Sequence, residues 1–294
     1  MTGSRPAISV ARVRLASLNL LNGMSLEQRS VDPPLLGQAV VALDADIVGL
    51  QEVDRNQPRS HGADLTRQVA AAMGVDEPGH WRFVPALIGT PGGAWRAATD
   101  DDDATDEPAY GIGLVSRWPV TSWHVTRLRA SPVRSPIMLP GTRKVVWLKD
   151  EPRVGLAAVV AAPGGALTVA TTHLSFVPVW NGVQLRRFTA ALGQLPGPRV
   201  LLGDLNMPPP LPRWLSRWRV LARTPTYPVW EPRIQLDHVL GSGELPLVAG
   251  VETPQLAISD HRALLVELAG SQSPSAARPA SSRATGTRNG EQET

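Results

Sequence analysis

Arg199-Val200-Leu201-Leu202-Gly203-Asp204-Leu205-Asn206 is a short apolar run that ends in an acid and an amide. Runs of this length that are rich in Val, Ile and Leu are typical of buried strands. If such strands share one sheet architecture and open at one edge, the polar groups at their ends converge, as a phosphoryl site built around a hard cation requires. The same arrangement recurs along the chain at Ser17-Leu18-Asn19, Gln51-Glu52, Thr172-His173, Leu236-Asp237-His238 and Ser259-Asp260-His261.

Length and composition indicate a globular protein with a substantial core. The chain has 294 residues, of which 43% are hydrophobic, and this suffices for one large domain. No linker interrupts the middle, so we predict one domain over residues 11–269, preceded by a flexible N-terminus over residues 1–10. Residues 270–294 contain almost no large apolar side chain, which predicts a disordered tail.

Charge and cysteine content narrow the functional classes. The net charge of +3 is too small to indicate a nucleic-acid footprint unless the basic residues cluster. The chain has no cysteine, which excludes disulfides, thiolate catalysis and Cys-ligated zinc, so any metal must have oxygen or imidazole ligands.

No stretch approaches the roughly 20 apolar residues that cross a bilayer, and no signal peptide is evident. We therefore expect a cytoplasmic protein, and no partner protein is indicated.

Predicted helices alternate with predicted strands along part of the chain. Asp32-Pro33-Pro34 is typical of an N-cap followed by a first-turn proline, and Ala63 to Met73 and Val183 to Leu195 are further amphipathic segments. Four other apolar segments follow one another with only turns or loops between them, which favours antiparallel pairing. These are Tyr110 to Val115, Val120 to Leu128, Gly155 to Ala161 and Leu167 to Thr172. The sequence thus predicts a mixed α/β fold.

The segment from Gly89 to Glu107 contains two adjacent glycines and the acidic run Asp100 to Asp103. Its composition predicts a mobile, solvated loop. A calcium-binding loop is the alternative, but the run lacks spaced ligands with a turn glycine.

Glu52 is the leading candidate for a metal ligand. It ends an apolar run and is followed by Val53, and a buried carboxylate at such a place is costly unless a cation compensates its charge. A lone strand-end Glu is more often simply exposed, but the other polar strand ends favour a ligand. Asn19 offers a neutral oxygen for the same cation, although an Asn after a strand is commonly a turn former.

Asp204 and Asn206 are two positions apart, so in extended backbone both side chains would point to one side and could hold a water between them. The alternative is an Asx-type turn before the prolines that follow, which concerns Asn206 more than Asp204. Asp260 and His261 are adjacent and would offer a metal-binding carboxylate and an imidazole from one loop. Asp237 could orient the ring of His261 and favour its charged form.

His173 could then be a second donor to phosphate oxygens. His238 would face away from the site on an extended strand, so we interpret it as structural.

Together, and in this order, the fragments resemble those of the endonuclease/exonuclease/phosphatase superfamily of metal-dependent phosphoesterases. Each fragment alone is weak evidence for this resemblance, whereas the ordered set of fragments from Val13 to Leu268 is specific for the superfamily. Its pieces are the Asn19 strand, Gln51-Glu52-Val53, Tyr110-Gly111, Leu114-Val115-Ser116-Arg117, Thr172-His173-Leu174, Gly203-Asp204-Leu205-Asn206, Leu236-Asp237-His238-Val239 and Ser259-Asp260-His261-Arg262.

The resemblance implies a four-layer α/β/β/α sandwich of two mixed sheets flanked by helices, with the site at one rim of the sheets. It also implies a role for each candidate residue. Asn19, Glu52 and Asp260 would lie near Mg²⁺ or Mn²⁺, Asp204 and Asn206 around the attacking water, His261 against Asp237, and His173 and Tyr110 as a phosphate-contacting pair. Whether Asp204 or His261 takes the proton of the water stays open.

The favoured hypothesis is a metal-dependent phosphodiesterase with nuclease-like chemistry. The substrate is then a phosphate ester, with nucleic acid among the candidates, although the acidic run Asp100 to Asp103 weakens an assignment to duplex DNA. One alternative is a phosphomonoesterase of a small metabolite or lipid headgroup. Another is a catalytically idle binding protein, against which the completeness of the site residues argues. No Gly-x-Ser-x-Gly elbow supports a serine hydrolase.

Overall fold

The computed structural model describes residues 12–138 and 145–269, so the predicted N-terminal segment and C-terminal tail lie outside the described residues. Within these ranges the helices are α1 (Pro33–Leu43), α2 (Leu65–Ala72), α3 (Trp180–Leu192) and α4 (Leu211–Ser216). The strands are β1 (Val13–Asn19), β2 (Met24–Ser25), β3 (Ser30–Val31), β4 (Ile47–Arg55), β5 (Trp81–Gly89), β6 (Trp95–Ala97), β7 (Ala109–Ser116), β8 (Val120–Leu128), β9 (Ser135–Met138), β10 (Val145–Leu148), β11 (Arg153–Ala162), β12 (Gly165–His173), β13 (Arg199–Asp204), β14 (Arg219–Val220), β15 (Asp237–Ser242), β16 (Val248–Glu252) and β17 (Leu264–Leu268).

Two mixed sheets form the middle of the molecule. The first has the strand order β16-β17-β1-β4-β7-β5-β6 and the second has the order β14-β15-β13-β12-β11-β8. In each sheet one neighbouring pair is parallel, β1 with β4 and β12 with β13, and the other pairs are antiparallel. The strands β9 and β10 pair as a separate two-stranded unit, as do β2 and β3.

The inner faces of the two sheets pack against each other through aliphatic side chains, among them Leu15, Ile47 and Leu114 of the first sheet and Leu156, Val169 and Leu202 of the second. The approach is close at Gly49, where an added Cβ would lie 2.8 Å from Oγ1 of Thr171. The amide of Gln51 donates to that same hydroxyl at 2.9 Å. This contact joins the two sheets directly behind the polar strand ends.

Helices cover both outer faces. Leu36, Val40 and Leu43 of α1 and Leu65 and Val69 of α2 are buried against the first sheet. Leu185, Phe188 and Leu192 of α3 are buried against the second. The layers therefore run α/β/β/α, which confirms the predicted fold class. No helix within residues 12–138 and 145–269 has both the length and the apolar content needed to span a bilayer.

The predicted helices exist with shifted ends. Asp32 caps α1 as predicted, because its carboxylate accepts from the N–H of Leu35 at 3.0 Å. The second helix begins two residues later than predicted, at Leu65, because Asp64 caps it. The third begins at Trp180 and ends at Leu192, three residues early at each end. Antiparallel pairing of β8, β11 and β12 is confirmed, whereas β7 lies in the other sheet.

The prediction of a mobile, solvated loop from Gly89 to Glu107 is wrong. The segment contains strand β6 and a 3₁₀ turn over Asp100–Ala104. Both carboxylate oxygens of Asp102 accept from the guanidinium of Arg96, at 2.8 and 2.7 Å, and this contact holds the pKa of Asp102 well below its usual range. Arg127 and Arg82 pair with Asp103. Neighbouring arginines on strands of both sheets thus pair with Asp102 and Asp103 and fix the acidic run in place.

Candidate active site

The polar strand ends converge on a pocket of about 840 Å³ at one edge of the two sheets. Strand register explains the convergence, because Asn19 lies beside Gln51 in the first sheet, and His173, Asp204 and Asp237 lie side by side in the second. Of the nine residues predicted for the site, seven line this pocket. They are Glu52, Tyr110, His173, Asp204, Asn206, Asp260 and His261. Asn19 and Asp237 are buried behind them.

A β-bulge turns Glu52 into the pocket. The register of β4 against β7 shifts between Leu50 and Val53, and Glu52 has a left-handed φ of 54°. Bulges re-aim one side chain while the strand continues. Burial raises the pKa of Glu52 and the negative charge of Asp260 adds to this, whereas the hydrogen bond from Asn19 opposes it. A raised carboxylate pKa of this origin marks a place where a cation would be stabilised.

Asn19 joins two acids of the site. Its amide nitrogen donates to Oε1 of Glu52 at 3.1 Å and to Oδ2 of Asp204 at 3.2 Å. Its amide oxygen accepts from the N–H of Leu21 at 3.0 Å. This structure therefore shows Asn19 as a bridge between carboxylates from different sheets.

His261 lies between two carboxylates. Its Nδ1 lies 2.8 Å from Oδ2 of Asp237, and its Nε2 lies 3.8 Å from Oδ2 of Asp204. Burial by itself lowers the pKa of His261, but the charge and hydrogen bond of Asp237 outweigh it, so the pKa rises to about 10. The imidazole is therefore held as a cation. The orienting role predicted for Asp237 has direct geometric support.

Asp204 is buried at the end of β13 and has a raised pKa of about 7. Burial is the main cause, opposed by the charge of His261 and reinforced by that of Asp237. Its other oxygen, Oδ1, accepts from the N–H of Asn206 at 2.9 Å. This carboxylate is thus surrounded by donors while remaining on the pocket wall.

Asn206 reaches the pocket by a different route from the one predicted. Its φ of 50° is left-handed, so the backbone between Asp204 and Asn206 is not extended, and the Asx-type turn considered as the alternative is present. The side chain nevertheless lines the pocket. Its amide nitrogen donates to the carbonyl of Leu174 at 3.0 Å and lies 3.0 Å from Nε2 of His173. The turn and the site are therefore compatible.

His173 is neutral. Burial, followed by the positive charges of Arg153 and His261, holds its pKa well below the usual range. His238, the neighbour of Asp237, is buried and its Nε2 lies 2.9 Å from the carbonyl oxygen of Met207, outside the pocket lining. The structural interpretation of His238 is therefore consistent with its position.

Arg153 is a pocket residue that sequence reasoning missed. It is buried at the start of β11, lines the pocket, and places Nη1 3.3 Å from Nδ1 of His173. Asp150 lies behind it, with Oδ1 at 4.0 Å from Nη2 of Arg153. The other oxygen of Asp150 accepts from the N–H of Ser131 and the hydroxyl of Ser175, at 2.6 and 2.8 Å. No motif in the sequence marks this buried anchor.

Two tyrosines also line the pocket. Tyr110 is buried on β7, and the guanidinium carbon of Arg59 lies 5.6 Å from the centre of its ring. Arg59 is itself held by a two-point contact with the buried Asp54, at 2.8 and 2.7 Å. Tyr227, which sequence reasoning also missed, lies with its ring centre 4.9 Å from that of His261. These contacts restrict the rings that face the pocket.

A family model described as Endonuclease/Exonuclease/phosphatase family matches residues 16–261. The chain belongs to this family. The match encloses the predicted site residues from Asn19 to His261, so the resemblance inferred from the ordered fragments is confirmed. A comparison with curated proteins finds no sequence that matches significantly.

Solved structures of this fold agree with membership in the endonuclease/exonuclease/phosphatase family. One is a family member from Beutenbergia cavernae, with 21% identity, a TM-score of 0.60, and coverage of 88% of this chain and 71% of that chain. Another is sphingomyelinase C from Streptomyces griseocarneus, with 15% identity, a TM-score of 0.55, and coverage of 88% and 99%. A third is a mannosyl-6-phosphatase from Bacteroides thetaiotaomicron, with 16% identity, a TM-score of 0.54, and coverage of 87% and 99%. At these identities the likeness concerns the fold.

Members of the endonuclease/exonuclease/phosphatase family typically use divalent metals, and the donors in this pocket fit one. Within the described ranges, one group of acids and imidazole has ligand atoms within 4.8 Å of one another, Asp204, Asp237 and His261. Asp237 and His261 are already hydrogen-bonded to each other, so this group is better explained as an imidazole that a carboxylate orients than as a set of metal ligands. Glu52 and Asp260 line the same pocket, and the charge of one raises the pKa of the other. Two oxygen donors that repel each other suit a hard cation.

Proposed function

We propose that this chain is a divalent-metal-dependent hydrolase of phosphate esters that acts preferentially on diesters. One observation carries the proposal. An unbroken series of contacts links the buried Asp237 through His261 and Asp204 to Asn19 and Glu52, at distances of 2.8, 3.8, 3.2 and 3.1 Å. The series crosses from the second sheet to the first at the pocket wall. This series supports the proposal, because an imidazolium, an acceptor carboxylate and an acid suited to a cation would then face one space.

Glu52, Asp260 and Asn19 would hold Mg²⁺ or Mn²⁺. Asn19 would do so through its amide oxygen, which accepts from the N–H of Leu21 in this structure, so its amide group would have to turn over when the ion binds. When bound, such an ion polarises the phosphoryl group and offsets charge that develops during displacement. The donor set contains only oxygen atoms, which agrees with the preference of these ions.

Asp204 is the residue that we assign to accept the proton of the attacking water. Its carboxylate faces the pocket, and it receives the N–H of Asn206 on the other oxygen. His261 is less suited to this task, because the carboxylate of Asp237 stabilises its protonated form. The His261 cation instead would stabilise the negative charge of the phosphoryl oxygens.

His173 and Tyr110 would contact the phosphate from the other walls of the pocket. Because a guanidinium can only donate, the contact with Arg153 favours a proton on Nε2 of His173. The amide nitrogen of Asn206 lies 3.0 Å from that Nε2 in this structure, so it would have to turn away before the N–H could donate to a phosphate oxygen. Arg153 adds a permanent positive charge close by, which together with a bound divalent cation would offset the acids that line the pocket.

The test is hydrolysis of bis-p-nitrophenyl phosphate and of p-nitrophenyl phosphate by the purified protein, with Mg²⁺, with Mn²⁺ and with EDTA. We expect metal-dependent release of nitrophenol, faster from the diester, and none with EDTA. Faster turnover of the monoester would replace the preference for diesters with phosphomonoesterase activity. Absence of turnover with every metal, or turnover that EDTA does not reduce, would contradict the proposal.

A further inference from the structure

A second depression lies beside the candidate active site and is lined by arginine. Its volume is about 360 Å³, at the lower end of the range of small-molecule sites. Arg223 and Arg233 line it together with Thr224, Ile234, Gln235 and the prolines Pro208, Pro209 and Pro225. Arg223 also lines an adjoining crevice together with Arg213. Three guanidinium groups thus surround one continuous surface.

Three separate chain segments lead from the active-site pocket into this depression. In each segment one residue lines the pocket and the residue two positions away lines the depression. The pairs are Asn206 with Pro208, Tyr227 with Pro225, and Leu236 with Ile234. Two residues of chain span at most about 7 Å. The depression therefore adjoins the active-site pocket, on the side where the chain leaves strand β13.

The charge of the depression is unbalanced. No acidic residue lines it or the adjoining crevice. In the described part of the chain, the one ion pair made by its three arginines joins Arg233 to Glu231, and both of these side chains are largely exposed, at 70% and 63%. Exposed pairs of this kind contribute little. By contrast, the arginines near the acidic run each pair with a carboxylate, as Arg82, Arg96 and Arg127 do.

Guanidinium groups match the geometry of phosphate oxygens, with two parallel N–H donors per contact. The framework that presents them is rich in proline, which fixes φ and reduces the freedom lost on binding. A solvated surface would need neither an acid-free lining nor a position next to the reacting phosphate.

We propose that Arg223 and Arg233, with Arg213 beside them, form a subsite for a second phosphate group of the substrate, next to the phosphate that is hydrolysed. This inference rests on the proposed function and specifies its substrate class as esters with more than one phosphate. A single-stranded oligonucleotide and a polyphosphorylated inositol share this chemistry. The subsite holds the neighbouring phosphate while the scissile one faces Asp204 and His261.

The experiment compares the wild-type protein with the double variant Arg223→Ala/Arg233→Ala. Arg187→Ala is the matched control, because Arg187 is an exposed arginine on α3 that lines none of these depressions. KM and kcat are measured for a short oligothymidylate, for an inositol polyphosphate, and for bis-p-nitrophenyl phosphate, which has a single phosphate. Binding of a fluorescent oligothymidylate and competition by the inositol polyphosphate are measured by anisotropy in the same buffers.

We expect the double variant to raise KM for at least one of the two polyphosphate substrates, with kcat little changed. The factor by which that KM rises should be about ten times the factor for bis-p-nitrophenyl phosphate. The substrate affected identifies the source of the second phosphate. Binding should weaken similarly, and the slope of log affinity against log salt for the oligonucleotide should fall by roughly 0.7 for each lost contact. Arg187→Ala should match the wild type.

Equal effects on all three substrates, or no effect on binding of either polyphosphate, would overturn the subsite. Failure of the proposed function gives a different result, because the wild-type protein would then hydrolyse none of the substrates. In that case the anisotropy measurement still decides whether the arginines bind phosphate.

Discussion

Oδ2 of Asp237 lies 2.8 Å from Nδ1 of His261, inside a wall where neither side chain is more than 8% exposed. The second oxygen of Asp237 has no hydrogen-bond partner among the described residues, so the interaction with His261 is the main compensation for its burial. The two residues therefore act as one unit. Either one alone would be a buried charge with a large desolvation cost.

The first prediction concerns this unit. Replacement His261→Ala should lower kcat about 10²- to 10³-fold, which is the usual cost of removing a donor that stabilises developing negative charge. Asp237→Asn should cause a loss within about tenfold of that value, because the amide can neither charge the imidazole nor hold its tautomer. The measurement is kcat for bis-p-nitrophenyl phosphate.

The double variant Asp237→Asn/His261→Ala should be no slower than His261→Ala, since groups that act as a unit are not additive. Losses that multiply would show that the two residues act independently. If His261→Ala changed kcat by less than threefold, the imidazole would have no role in catalysis.

The second prediction concerns Asp150. This carboxylate is fully buried and accepts hydrogen bonds from Ser131 and Ser175. Asp150→Ala should lower the free energy of unfolding by roughly 3 kcal/mol, because it leaves these two donors without their acceptor and the buried Arg153 without the carboxylate charge 4.0 Å away. Asp150→Asn keeps an acceptor oxygen and should lose less. Urea unfolding of both variants gives the values, and an Ala variant as stable as the wild type would show that the network carries no stability.

The third prediction concerns pH. Burial is the main cause that lowers the pKa of His238 below its usual value. Below about pH 6.5, the ordinary pKa of histidine, the unfolded chain therefore binds a proton at this position that the folded protein excludes. Stability due to neutral His238 is complete above that pH and is lost as pH falls, by at most about 1.4 kcal/mol per unit.

The variant His238→Gln keeps an N–H donor and removes the titration. Its free energy of unfolding should fall less between pH 7 and pH 5.5 than that of the wild type, whatever its stability at pH 7. The same fall in both proteins would show that His238 is protonated freely in the folded state.

Strand ends were the most predictable part of the site. Asn19, His173, Asp204 and Asp237 each follow or begin a short apolar strand, and the register of the sheets then brings them together. The bulge at Glu52 was not predictable, because no local feature of the sequence marks it. Gln51 takes the inward position and bonds Thr171, which is 120 positions further along the chain.

The contacts of Arg153 and of the acidic run could not be predicted from the neighbouring residues in the sequence. Arg153 stands at the start of an apolar strand, as many charged residues do. It becomes part of the site only because the pairing of β11 with β12 brings it to His173. Asp102 looks solvated by composition, yet Arg96 binds it in two places. Strand pairing, which a single sequence does not display, decides the first case, and a contact between residues six positions apart decides the second. The domain limits and the cytoplasmic location stay predictions.

The central claim is that Glu52 helps to hold a divalent cation at the pocket, and the most direct measurement is the Mg²⁺ dependence of diester hydrolysis by the wild type and by Glu52→Gln. The control is Glu151→Gln, a pocket-lining acid to which we assign no ligand role. Circular dichroism confirms that each variant is folded. We predict that Glu52→Gln loses at least about 100-fold in rate at any Mg²⁺ concentration, while Glu151→Gln retains most activity. Hydrolysis by folded Glu52→Gln at the wild-type rate and the wild-type Mg²⁺ requirement would contradict the account.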